Sequence, residues 1–101
     1  MYRHLVKRGG AGRALAGQFL HAGTSVGANL EEAQGSPSKV DFIARTTIAL
    51  KEAREAHYWL RLFERCRLGD LALISPLCRE AGEIVAILTT SVKNAKSNVD
   101  R

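Results

Sequence analysis

Helix-stopping residues are scarce here: the chain of 101 residues has only two prolines, Pro37 and Pro76, and no glycine or proline lies between Ser38 and Cys66. Two cysteines, Cys66 and Cys78, stand twelve apart with no C-x-x-C pair. That excludes a disulfide framework and reads as two buried thiols of a reducing cytoplasm. With no histidine pair beside them, a zinc site is not expected either. No run approaches the roughly 18 apolar residues of a membrane span, and the N-terminus has no apolar signal-peptide core. Alternating strand patterns, internal repeats and low-complexity stretches are all missing. Aromatic residues are only 6% of the chain, too few near its basic end for extensive base stacking. What remains is one domain, residues 1–101, with the apolar content of a globular protein.

That content falls at helical spacing. Val26, Leu30 and Ala33 mark a first long helix, with Gly23 and Gly27 four apart on a neighbouring stripe. Each glycine costs a helix up to about 1 kcal/mol relative to alanine, so close approach of another helix is the expected reason for the pair. Gly35 fits the left-handed residue past a helix end, and Ser36-Pro37 forbids continuation. Ser38 then reads as an N-cap with Asp41 in the first turn of the next helix, a capping box with Asp for Glu. Phe42, Thr46, Ala49, Ala53, Ala56, Leu60 and Phe63 step by three and four along it, a face wide enough for more than one neighbour. Lys51, Glu52, Arg54, Glu55, Arg61, Glu64 and Arg65 read as its solvated, mixed-charge side. After Leu68-Gly69-Asp70, residues 71–74 read as a connector and Ser75-Pro76 as a helix start. Long helices are therefore expected near 14–34, 38–66 and 75–96, with at most a short one at 2–8.

Chemical motifs are few. Gly23-Thr24-Ser25-Val26-Gly27 matches the G-x-S-x-G nucleophile elbow, but that elbow needs a strand before the serine and a large sheet. Inside a helical pattern it is a coincidence, and a hydroxyl bond from Ser25 to a helix carbonyl is expected instead. The Glu-x-x-His of di-iron bundles does not occur, because Gln18 and Arg54 stand three before His21 and His57. His57 reads as a satisfied core or interface histidine. Glu31-Glu32 lies near a helix end, against the dipole; it is either a solvated pair or the partner of an Arg or Lys from another helix or subunit. No catalytic residue, cofactor or metal ligand is expected, and the chain does not read as an enzyme.

The net charge of +5 is unevenly placed. The first 30 residues contain Arg3, Lys7, Arg8 and Arg13 and no acid, whereas eleven bases and ten acids follow. Such an end either attracts phosphate backbones or serves solubility.

The run Thr24-Ser25-Val26-Gly27-Ala28-Asn29-Leu30, with Glu32-Ala33, Ser38, Asp41-Phe42-Ile43, Ile48 to Ala53 and Tyr58-Trp59-Leu60, resembles the family of four-helix-bundle proteins encoded by intervening sequences in bacterial large-subunit ribosomal RNA genes. The resemblance extends over roughly residues 14 to 98. It implies an all-α, antiparallel up-and-down four-helix bundle assembled as a ring-shaped homopentamer. A related branch, the accessory proteins of diversity-generating retroelements, binds nucleic acid and a reverse transcriptase. Set against that pattern, this chain reads as shortened in its first helix, and a stub at 2–8 with three long helices bearing uncovered apolar grooves is expected. Exposed apolar surface of that kind implies association.

Two functions are then in view. One is a non-enzymatic, cytoplasmic assembly protein, a homo-oligomer that contacts RNA or DNA through Arg3, Lys7, Arg8 and Arg13, with a reverse transcriptase as a further partner if it belongs to a retroelement. The alternative is a structural, protein–protein interaction module with no nucleic-acid role. In either, Gly23, Gly27, Tyr58, Trp59 and Phe63 are the expected packing and subunit contacts, because aromatic residues are enriched at such places.

Overall fold

The computed structural model describes the backbone of residues 10–99 and the side chains of residues 17–98. Within that span the fold is all-helical, with no strand. Helix α1 runs Gly10–Gln34, α2 Lys39–Arg65 and α3 Leu71–Val99. The short helix expected over 2–8 lies outside the described residues. Both connections are short, as antiparallel neighbours require. Helices α1 and α3 each pack along α2 and make no close backbone approach to each other.

The α1–α2 turn is built largely as its residues dictate. Ser38 is extended (φ −142°, ψ 163°), and its Oγ accepts the Asp41 N–H at 3.1 Å while donating to Asp41 Oδ2 at 3.1 Å. One of the four orphan donors of the helix start is thereby satisfied. Gly35, however, does not adopt the left-handed conformation: among the described glycines only Gly69 has positive φ. Ser36 closes α1 instead, its N–H reaching Ala33 O at 3.2 Å and its hydroxyl Glu32 O at 3.0 Å.

Helix α3 begins at Leu71, not at Ser75, and Pro76 lies inside it. Asp70 is the reason. Its Oδ1 accepts the Ala72 N–H at 2.9 Å and its carbonyl accepts from Leu73 and Ile74 at 3.0 Å. Starting there swings Ile74 fully into the core. Ser75, freed from capping, donates its hydroxyl to Glu64 Oε2 at 2.7 Å. Helix α1 likewise starts earlier than 14, at Gly10, running through Gly12.

Helix α2 ends in a Schellman arrangement, with Leu68 N–H bonded to Phe63 O at 2.9 Å and Arg67 N–H to Glu64 O at 3.3 Å. The left-handed position that usually holds glycine is occupied by Arg67, with φ 53°.

Two apolar clusters fill the interior. Leu60, Phe63, Ile74 and Cys78 form one, capped by Phe19 of α1, whose ring meets Phe63 edge-on at 6.0 Å. Ala49, Leu50, Ala53, Leu88 and Val92 form the other, with Val26 and Leu30 of α1 against it. Thr46, the one buried polar residue among those described, donates to Phe42 O at 2.7 Å. The periodic face of α2 thus meets both neighbours, as its width implies. Cys78 is buried as expected, but Cys66 is exposed, because the helix ends at that residue and its stripe no longer has a partner.

Candidate interaction surfaces

Because the backbones of α1 and α3 approach α2 but not each other, a trough stays open between them. Its floor is Ala53, Ala56 and Leu60 of α2; its walls are Phe19, Gly23 and Val26 on one side and Leu77, Ala81 and Ile84 on the other. Its volume is about 200 Å³, and among the described residues Glu80 is the only charged one lining it. The walls continue outward as apolar surface. Leu20, one turn from Gly23, is 46% exposed, and Ile87, one turn from Ile84, is 65% exposed. Leu73, one turn from Leu77, is 48% exposed. A Cβ built on Gly17, Gly23 or Gly27 would meet nothing within 4 Å. The glycines thus cost α1 helix stability without admitting any described helix.

The opposite side of the molecule differs in character. Lys51, Arg54, Tyr58, Arg61 and Arg65 step by three and four along α2, which places them on one stripe, and all are exposed. None of these cations has an ion pair among the described residues; the ion pair found there is Arg45–Glu32 at 2.9 Å. Arg79 of α3 joins Arg61 around an adjoining hollow that His57, Glu64, Ser75 and Gly82 also line. Three of the four acids of α2 are engaged elsewhere; the fourth, Glu52, is half-buried, with Oε2 unpartnered among the described residues. Asp41 serves the N-cap, Glu64 accepts from Ser75, and Glu55 Oε1 receives the Trp59 indole N–H at 3.5 Å.

His57 sits at the edge of this hollow, its ring 3.3 Å from where a Cβ on Gly82 would stand. Burial, with the Arg61 charge beside it, holds its pKa below the ordinary value of 6.5. Burial and the Glu64 carboxylate push the Cys78 thiol up. Both groups are therefore mainly neutral at pH 7. Ser25 lies mid-helix, and the hydroxyl bond to a carbonyl is made by Thr24, to Leu20 O and His21 O at 3.0 Å. The described residues bring no three His, Cys, Asp or Glu side chains together around a metal position.

The comparisons agree with this scaffold. The chain matches the model of the 23S rRNA-intervening sequence proteins over residues 8–90. It belongs to that family. A crystal structure of a protein of unknown function from the S23 ribosomal protein family, from Bacteroides thetaiotaomicron VPI-5482, is similar at 35% identity and a TM-score of 0.80, over 91% of this chain and 84% of that one. No curated protein matches the chain.

For this intervening-sequence protein, the expected contact residues fall in different places. Phe63 is wholly buried in the core, Trp59 packs against the same cluster, and Tyr58 is 47% exposed beside Trp59, ring centroids 5.1 Å apart. Gly23 faces the trough, and Gly27 follows it one turn on. Glu32 has its cation in Arg45 of α2. Arg3, Lys7 and Arg8, and the Arg13 side chain, lie outside the described residues. The α2 ridge was overlooked because Glu52, Glu55 and Glu64 interleave with its cations in sequence; its signal was the 3-4-3-4 spacing of Lys51 to Arg65. No helix among the described residues is long and apolar enough to cross a membrane.

Proposed function

We propose that this protein is a non-enzymatic assembly protein whose trough between α1 and α3 receives a helix of a second copy. The observation that carries the reading is the trough itself, apolar in floor and walls and roofed by no described helix. The occupant is a second copy because knob and hole stand on the same molecule. Ile84, Ile87 and Leu20 project beside a depression floored by Ala53 and Ala56. The glycines of α1 let a neighbouring backbone come close. A helix seated there completes a four-helix arrangement, and the ring of five implied by the resemblance is an assembly of this kind. Such assemblies use head-to-tail contacts that close on themselves.

The assembly contacts RNA or DNA through basic surface. The charge of Arg3, Lys7, Arg8 and Arg13, with no acid in the first 30 residues, supports this, and a ring multiplies each patch by avidity. Nucleic acid, and a reverse transcriptase if the gene belongs to a retroelement, are the partners of this cytoplasmic reading.

The test is a pair of substitutions. Ile84→Glu places a carboxylate in the trough wall and should reduce the particle to 11.0 kDa protomers with helicity retained. Ile48→Glu, at an exposed α2 position outside the trough, should leave the mass unchanged. Loss of association in both, or in neither, would count against the trough as the interface.

A further inference from the structure

We infer that the α2 ridge of Lys51, Arg54, Tyr58, Arg61 and Arg65 is a binding site for a single nucleic-acid strand. This deepens the nucleic-acid reading above and rests on it, but it moves the contact from the N-terminal bases to the folded body. The five residues occupy one stripe whose ends are 14 residue steps apart, roughly 21 Å of helix at about 1.5 Å per residue. Each is exposed, and none of the four cations is spent on an ion pair among the described residues. Glu55 and Glu64 border the stripe with carboxylate oxygens already accepting from Trp59 and Ser75. Arg79 of α3 adds a further guanidinium where it shares the hollow with Arg61.

The chemistry selects the partner. A row of guanidinium forks suits a row of phosphates, since each donates two parallel hydrogen bonds to one anionic group. Tyr58, 47% exposed in the middle of that row, offers a ring face on which a base can stack, the combination that single-strand sites use. An anionic membrane is the lesser fit. An interfacial helix needs a broad apolar face to insert, and this stripe has one aromatic ring amid four charges. No ridge residue lines the trough, so seating a helix there does not use the ridge.

The experiment is titration of labelled 20-nucleotide oligo-U and of its duplex at 50 to 300 mM salt. The parent should bind the single strand with affinity falling steeply in salt. Arg54→Gln/Arg61→Gln/Arg65→Gln should weaken binding at least tenfold at 50 mM and flatten the log–log salt slope by about 2, at roughly 0.7 per single-strand phosphate contact. The triple Lys version should keep the slope, and Tyr58→Ala should weaken the single strand about tenfold while sparing the duplex. Circular dichroism confirms that each variant is helical. If the Gln variant binds like the parent while Lys7→Gln/Arg8→Gln/Arg13→Gln does not, the ridge assignment is overturned and the nucleic-acid reading stands. If the parent binds neither oligonucleotide, both fall; binding only to phosphatidylserine vesicles would replace nucleic acid with membrane.

Discussion

Single residues decide several features of this fold against their own preferences. Arg67 holds the left-handed position at the end of α2 (φ 53°), where a side chain costs roughly 1 kcal/mol or more relative to glycine. Nothing in the hydrogen bonding requires its guanidinium. Arg67→Gly should therefore stabilise the protein by about 1 kcal/mol, raising Tm by roughly 4–8 °C for a domain of this size, measurable by calorimetry. His57 gives a second expectation. Its folded pKa lies below the ordinary 6.5, from burial first and the Arg61 charge second. The unfolded chain thus takes up the proton more readily. Stability is fully present above that ordinary value, falls as pH drops through it, and levels off below the folded pKa. Tm should decline as pH falls from about 7 to about 5.5, and His57→Gln should flatten that limb. An unaltered limb in the variant would assign the decline to other groups.

At the scale of the element, the two turns contrast. The Ser38–Asp41 cap was legible because it is local: three residues suffice to satisfy the donor, and the structure has the bond at 3.1 Å. Ser38→Ala should cost about 1 kcal/mol with helix content retained, read as an earlier thermal midpoint. The start of α3 was not legible. Ser75-Pro76 carries a strong start signal, but Asp70 caps four residues upstream and the burial of Ile74 rewards that choice. A tertiary contact overrode a local one. Gly35 failed for a related reason: its sequence position permits a left-handed cap, yet the Ser36 hydroxyl already satisfies the Glu32 carbonyl. The basic ridge was present in the spacing from Lys51 to Arg65, but a linear reading could not tell which acids face it. The side-chain bonds of Glu55 and Glu64 supply that.

The whole molecule is notable for how little it buries. Among the described residues, five of the twelve buried apolar ones are alanines, and only Phe63 and Ile74 are large and fully enclosed. Meanwhile Leu20, Leu73, Ile84 and Ile87 stand 44–65% exposed on and beside the trough walls. At roughly 25 cal/mol per Å² of apolar area, covering them adds stability that a thin core does not supply, and such coupling makes stability depend on concentration. The all-helical fold followed from periodicity alone; the trough required knowing that the backbones of α1 and α3 stay apart. The molar mass of the unaltered chain by light scattering, across low to high micromolar concentration, tests this most directly. A defined multiple of 11.0 kDa, persisting on dilution, is the expected result. A stable 11.0 kDa monomer throughout that range would contradict the proposal that a second copy fills the trough.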